Sequence, residues 1–517
     1  MLQNRAIQKF SPWFVLLLVG GLGLVFHPVF RSGFDIIPGD TGDSRLVNWI
    51  LEHGFRWLRG DSLHREFWNP PFFYPARNIA AYTDIMLGAG PIYWLLRTLG
   101  LAPETAFQNW EIISSALNFG AMYWLLRRFN FRSAPSAIGA FLFAFGNART
   151  SQLNHPQLIS QYFSPIAIGC LIESFRATGQ KKRTYWLALS AFSVTLQLYA
   201  SFYLGWFLIF VGTIALVVAV TLKELRKALL TWLGSMKIEI VLIGAATAAL
   251  LWPMLSHYLA ASHELGPRLF SEVATMLPRI KSWFYLGSDN FLYGSLASWH
   301  KFARLPNNCE HTIGLGLLTF AACIAGLFLN RRDPVARISW KVLSIAILLT
   351  VFVGGYTLWR GVYEVFPGAK AARAVTRIQL VLLIPWAIGL ASLVQKKPKW
   401  AITLLALVAL EQFAIYPGYS KPLAIARSQA IANRIPTDCT HFLVAPVNPM
   451  KSGAEQLIDA MWAVFQTQKP TLNGYSGSNP PGWSLYTLES SQVRPALVAW
   501  KKSSGFEPDP KCILTAE

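Results

Sequence analysis

Asp40, Asp43 and Arg45 stand together in Gly39-Asp-Thr-Gly-Asp-Ser-Arg-Leu-Val-Asn-Trp49, just past the first apolar segment of a chain that otherwise keeps its charges in connectors. A carboxylate at a membrane surface can take a proton from an attacking hydroxyl or ligate a divalent cation. Asp43 is the first candidate and Asp40 the second; the alternative is a turn in which Asp43 caps a helix starting near Ser44, which would use one acid and leave the other unexplained. Arg373 and Arg377 offer the planar, bidentate donors that suit phosphate, with snorkelling to lipid headgroups as the alternative. His155, between Asn154 and Pro156, could serve as base, metal ligand or donor to substrate, or simply be satisfied by backbone at a helix entry. Glu310 with His311 pairs a carboxylate with an imidazole or caps a helix; Arg45 is a further substrate-side cation, and Arg149 a weaker one. Asp84 is best read as the N-cap of a helix over 85–96. Together these groups suit attack by an acceptor hydroxyl on a lipid-linked sugar, with cations holding the departing phosphate.

Such residues need a membrane scaffold, and composition supplies one. Of 517 residues, 53% are hydrophobic and 14% charged, and mean hydropathy is +0.37, which sets the class as an all-α polytopic membrane protein. The net charge of +20 fits cytoplasmic loops against anionic lipid rather than nucleic acid. There is no internal repeat, Gly-rich phosphate loop, metal-spaced Cys/His set or nucleic-acid module.

About eleven transmembrane helices are expected, on apolar runs at 12–30, 107–126, 134–147, 157–175, 184–198, 200–221, 238–257, 312–329, 338–357, 378–394 and 400–416. The connectors 127–133, 176–183, 222–237, 330–341 and 395–399 carry three, four, four, four and three basic residues and alternate along the chain, which places them in the cytoplasm. Parity then sends 31–106, 148–156, 258–311, 358–377 and everything after 417 outward, with the N-terminus, bearing Arg5 and Lys9, inside. The apolar stretch 85–96 would invert this order if it crossed, so it is read as an interfacial or re-entrant helix. Residues 44–59 predict a helix lying along the membrane surface, with Leu46, Trp49, Ile50, His53, Trp57 and Leu58 on one face. Glu111 and Glu411 inside apolar runs should face the bundle interior.

Two domains follow: a bundle over 1–416 with a structured first outer loop at 31–106, and a small extracytoplasmic α/β or mixed domain over 417–517, including an alternating run near His441–Val447. The loop Asn473-Gly-Tyr-Ser-Gly-Ser-Asn-Pro-Pro-Gly is structural by default. Cys439 and Cys512 bracket the tail and could be bridged if it is exported.

The segments Gly39-Asp40-Thr-Gly-Asp43-Ser-Arg, Leu51-Glu-His, Pro71-Phe-Phe-Tyr-Pro, Pro367–Arg377 and Asn473-Gly-Tyr-Ser-Gly resemble a bacterial branch of the GT-C superfamily of membrane glycosyltransferases. That resemblance implies a polyprenyl-phosphate-linked sugar as donor, a site on the non-cytoplasmic side of a bacterial inner membrane, and a first-loop acid, Asp43 or Asp40, acting as base or as ligand of a divalent cation. Many relatives carry another acid in the second outer loop; residues 148–156 contain none, which leaves open the metal and whether His155 or Asp84 stands in. The alternatives are a transporter or flippase of lipid-linked glycans and a noncatalytic cell-envelope assembly partner.

Overall fold

Proline and glycine placement, more than apolar length, decides where the helices stop. The computed structural model describes residues 11–445, 453–486 and 490–515; the basic residues Arg5 and Lys9 lie outside them. The longer helices are α1 (Pro12–Val25), α2 (Asp43–Leu58), α3 (Gly90–Thr98), α4 (Pro103–Arg128), α5 (Ser133–Phe145), α6 (Phe163–Arg176), α7 (Gln180–Ala200), α8 (Phe202–Thr221), α9 (Lys223–Ser235), α10 (Lys237–Leu265), α11 (Leu317–Leu329), α12 (Pro334–Thr350), α13 (Ile378–Lys396), α14 (Ala401–Gln412), α15 (Lys421–Arg434), α16 (Gly453–Thr467) and α17 (Ser490–Ser504). Each of the eleven apolar runs carries a helix, and the protein is a mostly helical membrane protein. Among the described residues, four stretches are long and apolar enough to cross a bilayer, Pro156–Arg176, Phe202–Thr221, Lys237–Leu265 and Val375–Lys396; α1 and α11 are apolar but shorter.

The shortfalls have local causes. The run 12–30 breaks at Phe26, and Pro28 opens a separate turn, His27–Arg31. The run 312–329 becomes helical only at Leu317, after Gly316 in the left-handed region. The run 338–357 ends at Thr350 and turns back through a bridge between Val353 and Tyr356. Over 85–96 the helix is α3, nine residues or about 13 Å long at 1.5 Å per residue, too short to span.

At the centre lies α13, buried continuously from Ile378 to Ser392 and packed against α5, α11 and α12. A Cβ on Gly326 of α11 would overlap the carbonyl oxygen of Gly389 in α13, so these two helices cross in backbone contact, as small residues permit.

A second core joins the first loop to the tail. Trp49, Phe72, Phe73, Tyr93 and Trp110 pack with Leu457, Ile458, Met461, Trp462, Leu472 and Trp483. The strand β1 (Ile36–Pro38) pairs antiparallel with β2 (Gly418–Ser420), and β3 (Leu443–Ala445) pairs parallel with β4 (Ile513–Thr515). The predicted alternating run is thus strand at 443–445, its last two residues lying outside the described ones. Cys439 and Cys512 are disulfide-bonded.

Helix α2 is a correction. Instead of lying on a surface with one face wet, it is buried throughout Ser44–Gly54, Arg45 and Glu52 included. The tail covers the helix on both the apolar and the polar face: Trp49 Nε1 donates to Met461 O at 2.9 Å, and Arg45 forms a buried ion pair with Asp459. Glu52 is neutralised by Arg97 at 2.7 Å and Arg56 at 3.1 Å. Asp84 is another. It does not cap α3, which starts only at Gly90, but accepts the N–H of Phe202, the first residue of α8, at 2.7 Å.

Candidate functional site

The turn before α2 uses its two acids differently. Asp40 Oδ1 accepts the backbone N–H groups of Gly42 (3.0 Å) and Ser44 (3.2 Å), so Asp40 satisfies the orphan donors of the helix start. Gly39, at φ +90°, brings the turn so close to Leu153 and Ser44 that no side chain fits there. Asp43, the first residue of α2, is left with both oxygens for tertiary partners, at the positive end of the helix dipole.

Those partners form one chain. Tyr475 Oη donates to Asp43 Oδ1 at 2.7 Å, and His155 Nδ1 lies 2.9 Å from Asp43 Oδ2. His155 Nε2 lies 3.3 Å from Glu310 Oε1. Glu310 in turn receives Arg377 through Nη2 at 2.6 Å and Nε at 3.2 Å, a bidentate pair. The order Tyr475–Asp43–His155–Glu310–Arg377 draws on the tail, the loop 31–106, the connector 148–156, the end of the segment 258–311 and the residue before α13. The Arg377 guanidinium also sits 4.9 Å over the ring of Tyr203, and the Tyr203 hydroxyl accepts the Arg373 N–H at 3.0 Å.

Charge alternation sets the protonation states. Burial works to raise the Asp43 carboxyl, but the hydrogen bond and charge of His155, with Tyr475 and Arg377, outweigh it and hold Asp43 below the usual carboxylate range. For His155, burial and Arg377 pull downward; Asp43 and Glu310 outweigh them and bring the imidazole up to about 9. Glu310, despite burial, is held far down by Arg377 and His155. Asp40 moves the other way, raised by desolvation in the cleft and by the charge of Asp43. The side chain of Asp43 keeps 25% of its surface open whereas Glu310 keeps 4%; Asp40 is exposed, with Oδ1 taken up by the turn.

Other expected site residues are engaged elsewhere. Arg45, placed with the substrate by its spacing, is buried against Asp459, which also binds Arg427 at 2.9 Å. Arg149 is consumed by the carbonyls of Phe143 (2.9 Å) and Leu158 (3.1 Å) and by Gln161. Glu310 caps no helix, because α11 begins seven residues later. The cap of α11 is Glu411, whose carboxylate accepts the N–H groups of Leu318 (2.9 Å) and Thr319 (2.6 Å). Glu111 is buried, with both carboxylate oxygens unpartnered among the described residues. Arg373 is 36% exposed and faces Glu272 at 3.4 Å.

Tyr475 was missed because its Gly/Asn-rich loop looked like a turn. The clue was Asn473-Gly474: the Asn473 side chain pairs with the Val444 backbone at 2.8 and 2.9 Å, and a Cβ on Gly474 would collide with the Phe73 ring. These two residues pin the loop so that it delivers the next side chain to Asp43.

A divalent cation between Asp43 and Glu310 would need the position held by His155. Both its ring nitrogens face a carboxylate, so a cation there would have to displace the imidazole from Asp43 and Glu310. Among the described residues no three His, Cys, Asp or Glu are arranged to hold a metal ion. The residues present do not fit a resident metal.

No family model and no curated protein matches the chain. Among solved structures, the oligosaccharyltransferase of Archaeoglobus fulgidus, in complex with zinc and sulfate, is similar over 89% of this chain at 12% identity and a TM-score of 0.49, and the chain spans 62% of that protein's length. ArnT of Cupriavidus metallidurans in the apo state is similar over 89% of this chain and 85% of its own, at 10% identity and a TM-score of 0.39. Overlap this loose carries no inference about activity, which must come from the side chains.

Proposed function

We propose that the protein is a membrane glycosyltransferase of the GT-C type that moves a sugar from a polyprenyl-phosphate donor to an acceptor hydroxyl on the non-cytoplasmic side. What carries the reading is the five-residue chain from Tyr475 to Arg377, assembled from four outer segments and the tail around Asp43, a partly open carboxylate held ionised by its partners. Asp43 orients the acceptor hydroxyl. As that oxygen bonds to the anomeric carbon its proton becomes strongly acidic, so even a carboxylate of depressed pKa can take it late in the step. His155 and Glu310 fix the orientation of Asp43, and the bond from sugar to phosphate breaks with its electron pair going to a phosphate oxygen. Arg373, half-exposed and paired among the described residues only with the half-exposed Glu272, receives that phosphate.

The side of the membrane follows from the basic connectors, and the Cys439–Cys512 disulfide supports an exported tail. On this reading eleven helices cross, the N-terminus is cytoplasmic, and the bundle over 1–416 carries the extracytoplasmic domain over 417–517. Of the two intramembrane acids that would favour a transporter, Glu411 is accounted for by its helix-capping bonds.

Purified protein incubated with polyprenyl-phosphate sugars and candidate acceptors should transfer sugar, and Asp43→Asn should lower the rate by about 10²–10⁴-fold, the range for a positioned acid–base group. Undiminished transfer by Asp43→Asn would overturn the assignment.

A further inference from the structure

His53, from the segment Leu51-Glu-His, and His64 take no part in the five-residue chain, yet both are fully buried. His53 lies on α2, and His64 closes the turn Ser62–His64, which Asp61 caps by accepting the Leu63 N–H at 3.0 Å. The two Nδ1 atoms are 2.8 Å apart, and His53 Nε2 is 2.9 Å from Phe67 O. A carbonyl oxygen only accepts, so His53 carries its proton on Nε2, its Nδ1 is a lone pair, and the proton between the rings belongs to His64. His64 Nε2 is then the one basic nitrogen of the pair with no partner among the described residues, and it is sealed from water.

The pair stands where the first loop meets the tail. His53 stacks on Trp49 (5.6 Å) and Phe67 (5.5 Å), while His64 stacks on Phe465 of α16 with ring planes 14° apart at 5.2 Å. Phe465 in turn leans on Trp49 at 5.1 Å, and the Arg56 guanidinium lies 4.7 Å from its centre. We propose that the two imidazoles form an acid-operated latch, in which proton uptake at His64 Nε2 frees the Phe465 end of α16 from the first loop. Packing alone would be served equally well by two phenyl rings, whereas a buried nitrogen without a partner costs stability. A basic nitrogen kept at that cost is a place for a proton.

Protonation at Nε2 makes an imidazolium whose new N–H has no acceptor in the closed seam. A second proton could enter only at His53 Nδ1, facing the N–H of His64, and would drive the rings apart. The charged neighbours do not offset this. On α2, Arg56 repels a charge on His64, and Glu52 is spent on Arg97 and Arg56. From the loop, Asp61 attracts a charge on His53 but is itself paired with Arg56 at 3.1 Å; the tail presents the uncharged ring of Phe465, with Trp462 beside it. Burial accordingly pushes His53 down to about 4, and burial with His53 and Arg56 pushes His64 down to about 2. Both rings are therefore neutral while the seam is closed, and an exposed imidazole titrates near 6.5. Below that pH the open form binds the proton more tightly, so acid favours opening; above it the latch stays shut. The Arg45–Asp459 ion pair, six residues or about 9 Å back along α16, is left as the hinge. Tyr475, the tail's contribution to Asp43, would loosen with the opening. The latch itself does not depend on the proposed reaction.

The test is amide hydrogen exchange of the full chain in phosphatidylcholine nanodiscs at pH 7 and pH 5, expressed as protection factors so that the intrinsic rate cancels. Wild type is compared with His53→Phe/His64→Phe, which keeps the stacking and removes every titrating nitrogen, and with His64→Gln, which keeps a donor toward His53 and removes the free nitrogen. In wild type, protection of residues 461–467 should fall by more than about tenfold between the two pH values, as one histidine moving from about 4 to 6.5 requires. Ile378–Ser392 in α13 should keep its protection. The double variant should show no such fall, and His64→Gln a smaller one. If the double variant does not fold at pH 7, the glutamine variant decides. Unchanged protection in wild type overturns the proposal. So does a fall of equal size in the variants, which would belong to other titrating groups, or one shared by α13, which would be general unfolding.

Discussion

Replacing His155 with glutamine keeps a hydrogen-bonding side chain and removes the titratable charge between Asp43 and Glu310. The imidazole is raised from 6.5 to about 9 in the folded protein, and at 1.36 kcal/mol per unit this is worth about 3 kcal/mol. Asp43 and Glu310 report the same contacts from the other side, so their shifts are not added. Because the folded value lies above the unfolded one, the contribution is complete below pH 6.5, shrinks as pH rises, and is gone above about pH 9. Wild type should therefore lose about 3 kcal/mol more than His155→Gln between pH 6.5 and 9.5. At 2–4 °C per kcal/mol for domains of 150–250 residues, and less for longer chains, this is a difference of about 5 °C in melting temperature. Tryptophan-fluorescence melts at the two pH values, at one fixed scan rate because membrane proteins often unfold irreversibly, give the double difference. Tyrosines, lysines and Cys309 titrate in both proteins and cancel. Equal pH slopes for the two proteins would refute an imidazolium held between two carboxylates.

Tyr475→Phe removes the hydroxyl that donates to Asp43; a bond to a charged group is worth about 1.5–3 kcal/mol of stability, so the variant should melt a few degrees lower while still folding. Asp43 would titrate higher, moving the acid limb of the kcat/KM profile to higher pH, and an unmoved limb would reduce Tyr475 to packing. Arg45→Ala breaks a buried ion pair, which costs about 3–5 kcal/mol; Arg427 still neutralises Asp459, so the low end is expected. The variant should melt early yet keep near-normal transfer at a permissive temperature. Lost transfer with unchanged melting would return Arg45 to the site.

The apolar runs were legible because hydrophobic length survives any tertiary arrangement. Helix ends were less so, since they depend on φ values and partners: α11 starts at Leu317 because Glu411, more than ninety residues away, supplies the acceptor for its first N–H groups. The periodicity of α2 assumed water on its polar face. That face meets the tail, and the partner of Arg45 lies 414 residues downstream, beyond the reach of any local pattern. The sequence offers Asp43 as the possible helix cap; the geometry gives those bonds to Asp40, because the helix begins one residue earlier, and leaves Asp43 to His155 and Tyr475.

Counting charges along the five-residue chain shows what it can and cannot do. Asp43 and Glu310 contribute two negative charges, and His155 and Arg377 two positive ones, so the chain is neutral and spends both cations on holding Asp43 in place. A departing phosphate gains negative charge as its bond to the sugar breaks and needs cations that are not already committed. Arg377, bidentate on buried Glu310, is poorly placed to change partners, because leaving would expose an unpaired carboxylate in the interior. Arg373 faces the half-exposed Glu272 at 3.4 Å, an acid that also has Arg268 at 3.5 Å, so Arg373 can turn to phosphate at small cost. On the proposed reaction the two arginines, one helical turn apart in sequence, would therefore divide the work: Arg377 holds Glu310 and through it the acceptor carboxylate, and Arg373 is the one left to meet a leaving group.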